Sequence, residues 1–378
     1  MRIRRSYFSR VTIPGLVLGS SLVLASTSAA DPAGKPDIPS ARIARAPQTI
    51  DQEIKLAGDY MVGRGVVQDV KEAAYWYEKA AGAGDPDAQL ETGYLYEAGV
   101  GVPRDPIRAV HWYQLAASGG LVRAKVNLGI AYLWGMGVAK NEELSAELLG
   151  EAAKEGSGLA ACYLGEMYDT GTGFPKNKSA AERWYAKGAK LHDPQAEYQM
   201  GLLFFVGENH RHDLNRAATM LRSSANAGFV SAMHVLGVLL IRNPALAESP
   251  AEASTLLNRA ADAGIWKSSL VLGMMARDGR GIPADERAAY FHFRVGALQG
   301  GDEAERLAES DLRILSSKLG ESQTRAIDAA AEEWSQRHRV VLAFIYNEHV
   351  NKTRSPAFAL ANPEGGKHVL RLLPAPPG

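Results

Sequence analysis

The sequence predicts an all-α solenoid of about seven 36-residue helix-turn-helix repeats. Three observations carry this. Gly93, Gly129, Gly165, Gly201, Gly237 and Gly273 stand 36 residues apart. Ala88, Ala124, Ala160, Ala196 and Ala232 form a second column, continued by Ser268. Aromatic residues keep the same register, in Tyr60, Tyr96, Tyr132, Tyr168 and Phe204 and in the pairs Trp76-Tyr77, Trp112-Tyr113 and Trp184-Tyr185. A fixed period of this size, held without insertion, means stacked repeats that bury a continuous core.

Each repeat reads as two helices. In helix A of the third row, Ala124, Leu128, Gly129 and Tyr132 fall on one face at helical spacing. Helix A then meets a glycine pair: Gly63/Gly65, Gly99/Gly101, Gly135/Gly137, Gly171/Gly173 or Gly279/Gly281. Glycine there suits a left-handed helix end. Helix B follows Asp69, Asp105, Asn141, Asn177, Asp213 or Asp285, side chains that cap free N–H groups. Pro106 takes a first helical position, where its missing N–H costs little. Helix B ends near Gly84, Gly120, Gly156, Gly228, Gly264 or Gly300. The small columns let helices approach closely, and the aromatics fill the space between rows. Repeat six, LIRNPALAESPAEAS, has lost the Gly-x-Gly loop but keeps the period.

The row at 88–120, AQLETGYLYEAGVGVPRDPIRAVHWYQLAASGG, resembles a Sel-one-like repeat, a relative of the tetratricopeptide repeat. The resemblance rests on alanine, glycine, tyrosine, Gly-x-Gly-Val, aspartate, Trp-Tyr and Ala-Ala recurring in that order. It implies a right-handed α/α superhelix that binds a protein partner. Secreted bacterial members are similar to adaptors and regulators of envelope processes. One subgroup staples each repeat with a cysteine pair; this chain has one cysteine, Cys162, and departs from it.

The flanks differ from the repeats. Residues 1–30 run from arginine-rich MRIRRSYFSR through apolar VTIPGLVLGSSLVLA to STSAA, the order of a signal peptide. Ser28 and Ala30 stand at −3 and −1 of a cleavage site, and two export routes stay open. Cleavage removes four of the 42 basic residues and none of the 42 acidic ones, leaving a formal charge of −4. The expected location is periplasmic or secreted, with no stable membrane span after cleavage. Residues 31–49 read as a flexible linker, 50–303 as the solenoid, 304–350 as C-terminal capping helices and 351–378 as a disordered tail. The even balance of 42 and 42 gives no basic excess for nucleic acid.

The chemistry-bearing residues point away from an enzyme. GENHRHD, residues 207–213, looks at first like a metal site. The register makes it the loop of repeat five, with Gly207 at the place of Gly99 and Asp213 at that of the capping Asp105. His210 and His212 then hold variable loop positions, short of the three or four converging ligands a metal needs. No catalytic residue, metal or cofactor is expected.

By analogy with tetratricopeptide repeats, helix A residues pointing away from the Ala/Leu/Gly/Tyr face line the concave surface. These include Tyr94, Ile130, Leu133, Tyr198, Leu202, Phe205, Val238, Ile241 and Met274, apolar where an open helix face is usually polar. They are the predicted partner-binding stripe, centred on repeats three to six. A C-terminal apolar stripe runs through Ile327, Trp334, Val341 and Phe344, and its Trp334, Val341 and Phe344 are a candidate internal occupant of the groove. Two rival readings are a cell-wall- or antibiotic-directed hydrolase, which needs a converging polar pocket, and a structural protein that self-associates through its last helices.

Overall fold

The computed structural model describes residue 47 and residues 49–207 and 212–349. The expected signal peptide, most of the linker, the tail and His210 lie outside the described residues. All regular structure among the described residues is helical. Repeat one pairs α1 (Ile50–Val62) with α2 (Val70–Gly82), and repeat two pairs α3 (Pro86–Ala98) with α4 (Pro106–Ser118). Repeats three and four follow as α5 (Val122–Trp134), α6 (Glu142–Lys154), α7 (Gly158–Thr170) and α8 (Lys178–Lys190). Repeat five is α9 (Pro194–Val206) with α10 (Leu214–Asn226), and repeat six α11 (Val230–Arg242) with α12 (Glu252–Asp262). Repeat seven begins with α13 (Trp266–Asp278); α14 (Glu286–Leu319) and α15 (Glu321–His349) close the molecule.

The capping residues act as their types dictate. Asp105 accepts from the amides of Ile107 and Arg108, both at 3.1 Å, and Asp213 from that of Arg216 at 3.0 Å. The first glycine of each loop ends helix A left-handed, as Gly99 does at φ 70°. The second holds the rows together. A Cβ on Gly101 would stand 2.0 Å from the carbonyl oxygen of Val70 and one on Gly137 2.1 Å from that of Pro106, so the loops of repeats two and three are seated on the start of the preceding helix B.

The glycine column is where helices A and B touch. A Cβ on Gly93 would meet the Tyr113 ring at 2.4 Å, and one on Gly129 would meet Leu149 Cγ at 2.9 Å. Large residues of helix B thus fill what glycine leaves open. The core is a chain of clusters, each bridging neighbouring repeats: Leu90 and Tyr113 of repeat two pack with Ala124 and Leu128 of repeat three.

Repeat six keeps the register by other means. A short 3-10 turn, Pro244–Leu246, replaces the glycine loop. Arg222, from α10, grips it: the guanidinium donates to Glu252 at 2.7 Å and to the Leu246 carbonyl at 2.8 Å. Glu252 also accepts the Glu248 amide at 2.6 Å.

Helix B of repeat seven ends near Gly300, as expected: Gly301 leaves the helical conformation (φ 62°, ψ −151°), and a second helical segment of α14 follows it to Leu319. On this segment Ala304, Ala308 and Leu315 face the core, while Glu305, Arg306, Glu309 and Arg313 are exposed. A polar outer flank is what a repeat array needs at its end.

Candidate partner-binding face

A helix A in the middle of the array is covered on three sides. Its own helix B covers one, and the two neighbouring repeats cover the flanks. Helices A also touch one another across repeats, α7 with α9 and α11 with α13, while no pair of helices B packs as closely. The A helices therefore line the inside of the curve.

This geometry corrects part of the expected stripe. Leu133, Tyr198 and Val238 are buried, at 2%, 2% and 1% exposure. Leu133 packs with Leu164 and Met167 of the next repeat, Tyr198 leans on Phe229 with ring centres 5.1 Å apart, and Val238 sits with Val271 and Met275. The whole column to which Tyr198 belongs is buried: Leu90, Val126, Cys162, Tyr198, His234 and Leu270. It is the flank pressed on the following repeat, not a groove wall. Tyr94, Ile130, Leu202, Phe205, Ile241 and Met274 are half-buried, each resting on the core with part of its surface open.

The inner stripe follows the spacing 87, 91, 94, 98 and its equivalents in later rows. In repeat two it is Asp87, Glu91, Tyr94 and Ala98; in repeat three Arg123, Asn127, Ile130 and Trp134. All eight are exposed or half-buried. Farther along, Glu166, Gln199, Val235, Val238 and Val271 close over one another and are buried. The inner face is most open in its first half; farther along, Leu202, Val206 and Met274 keep surface open between buried positions. Sequence reading missed Glu91, Asn127 and Tyr163; their spacing of four, three and four was the signal.

The open half is polar and aromatic. Tyr94 meets Tyr113 edge-on at 5.8 Å, and the Tyr113 hydroxyl donates to Glu97. Burial raises Glu91 to about 6, against the opposing charge of Arg123 and with help from Asp87. Deeper in, burial raises Glu166 to about 7, with Gln195 and Gln199 opposing the shift.

The other candidates have structural roles. His212 Nδ1 lies 2.9 Å from the Phe205 carbonyl. Gln68 and Arg104, one column with His212, donate to the carbonyls of Met61 and Glu97, each at 2.9 Å. His212 thus caps the end of helix A, with Nδ1 carrying the proton. Cys162 is fully buried, and burial followed by the Glu166 charge pushes its thiol well above its ordinary value, away from nucleophilic thiolate. No group of three or more metal-ligating side chains is found among the described residues.

Comparison with known proteins agrees with the geometry. The Sel1 repeat profile matches residues 53–85, 86–121, 122–157, 158–193, 194–229 and 268–301. It passes over repeat six, where the glycine loop is lost. A search of curated proteins finds no match. Among solved structures, a Sel1 repeat protein from Oxalobacter formigenes is 27% identical, with TM-score 0.55, over 68% of this chain and 100% of its own. A protective antigen of uropathogenic Escherichia coli with an SLR fold is 22% identical, with TM-score 0.44, over 87% of this chain and 73% of its own. Repeats of this class serve as protein-interaction scaffolds. With its period, its glycine and alanine columns and six matched repeats, the chain belongs to the Sel1 repeat family.

Proposed function

We propose that the chain is an exported scaffold or regulator of a bacterial envelope process that takes a segment of a protein partner on the inner face of its solenoid. The observation that carries the binding reading is the row of half-buried apolar side chains at one position of the inner stripe, Tyr94, Ile130, Leu202 and Met274. None is needed there to fill the core completely, and each has surface left to bury. Covering the part of such a side chain that is still open contributes on the order of 1 kcal/mol before ordering costs. Export is supported by the basic, apolar and small-residue order of residues 1–30.

A photo-activated cross-linker placed at Ile130, at Leu202 or at Tyr75 on an exposed face of α2 tests the reading in the producing cells. Adducts of one protein at 130 and 202, and none at 75, are expected. Adducts confined to position 75 would move the binding surface to the other side of the molecule.

A further inference from the structure

Glu166 stands on α7 at the joint between repeats four and five, and it is 3% exposed. One carboxyl oxygen, Oε1, accepts from Gln195 Nε2 at 2.7 Å and from Gln199 Nε2 at 3.5 Å, both on α9. The other, Oε2, is buried with no hydrogen-bond partner. A buried carboxylate wants a cation or several donors. Beyond the two glutamine amides, the groups facing it supply neither. From α7 come Cys162, Tyr163 and Asp169; from α8, Tyr185; from the turn into α9, Asp193. Two of these are acids, and no basic side chain acts on it. His192, on the same turn, is exposed and lies 3.5 Å from Glu197.

We infer that the joint between repeats four and five is closed by a protonated Glu166, and that loss of this proton loosens it, so that the solenoid hinges there as pH rises. The sign follows from linkage. Closure raises the carboxyl from its ordinary 4.5 to about 7. The stabilisation is complete below about 4.5 and is lost as pH climbs through about 7. The event is a simple proton release to water, with the two glutamine amides and solvent left to satisfy the anion.

The chain carries its own reporter. Cys162 is its one cysteine, lies one turn before Glu166, and packs with Ala196 and Met200 of repeat five. Its thiol reacts only when this joint opens. Labelling by a disulfide reagent is compared in the wild type and in Glu166→Gln at each pH; the Glu166 charge holds the thiol up and slows wild-type labelling, so its effect on the thiol runs against the change expected from opening. Glu166→Gln keeps the shape without the charge.

From pH 5 to pH 8 the ratio of wild-type to variant labelling rates is expected to rise at least about tenfold. A ratio constant within about twofold would overturn the inference. Val126→Cys in a Cys162→Ala background places a thiol in the same column at the preceding joint. Its ratio is expected to stay flat. An equal rise there would mean that the whole array loosens, and would also overturn the hinge.

Discussion

Gly129 shows how much one hydrogen atom decides. Its column meets Leu149, so Gly129→Val forces a branched side chain into a contact that a single Cβ already violates. Overpacking costs roughly 1–3 kcal/mol, and the variant is expected to lower the denaturant midpoint far more than His212→Ala, whose side chain is exposed. Equal midpoints would remove the role given to the column. His192 is the reverse case. It holds φ 56° at a turn where Gly84, Gly120, Gly156, Gly228 and Gly264 stand in other repeats. His192→Gly is expected to stabilise by about 0.5–1.5 kcal/mol, since a left-handed non-glycine residue is strained; a loss of stability in urea melts would refute this. His234 gives a pH dependence opposite to that of Glu166. Its Nδ1 lies 2.8 Å from Ser268 Oγ, and burial, with Lys267 adding, lowers it from 6.5 to about 4. The neutral ring is favoured in the fold, so its contribution is intact above about 6.5 and is lost as pH falls through about 4. His234→Gln is expected to flatten that acid limb of the stability curve, and an unchanged limb would clear His234 of it. The helix B caps were legible in the sequence, because capping is local chemistry, while the helix A caps Thr49, Asp85, Ser157 and Asp193 went unread. His212 was legible only as a loop residue, since its bond to Phe205 depends on how the loop folds back.

The elements divide into those written in the period and those held by contacts outside it. The helix pairs and the Asp or Asn caps of most B helices follow from spacing alone, whereas α5, α11, α12 and α13 start without a side-chain cap. The loop of repeat six does not follow from spacing, because its anchor is Arg222, on the helix of the preceding repeat. Arg222→Ala is expected to cost about 1–2 kcal/mol through the lost bonds to charged and carbonyl acceptors. Hydrogen exchange should rise most in the segment 243–251; protection unchanged there would show that the turn stands without its clamp. The inner face was only partly legible for a related reason. A helix A in a solenoid is apolar on three sides, so apolar character cannot separate the flank pressed on the next repeat from the face left open. Tyr198 and Val238 read as groove and are core; Glu91 and Asn127, which looked like ordinary polar positions, border the open face.

At the scale of the molecule, α15 binds to α14. Ile327 and Ala331 are buried, and Asp328 takes the Tyr290 hydroxyl at 3.2 Å and Arg294 at 3.1 Å. Trp334 stacks on the ring of His338 at 3.8 Å, while the side chains of Val341 and Phe344 are outside the described part of the helix. Removing residues 321–378 would therefore strip a core surface as well as any tail, and the melting temperature is expected to fall by at least about 5 °C. A truncated chain that melts with the full one would return α15 to the role of a detachable competitor. The export reading makes a separate demand, that protein recovered from the envelope begin near Asp31. Recovery there with Met1 intact would defeat it.

The polar flank of Glu305, Arg306, Glu309 and Arg313 has a further consequence. A further row stacked there would have to bury charges as well as the half-exposed Leu307 and Ile314, which disfavours extension at that end. Between existing rows every surface is complementary to the next, and a duplicated 36-residue unit spliced there would find both neighbours ready.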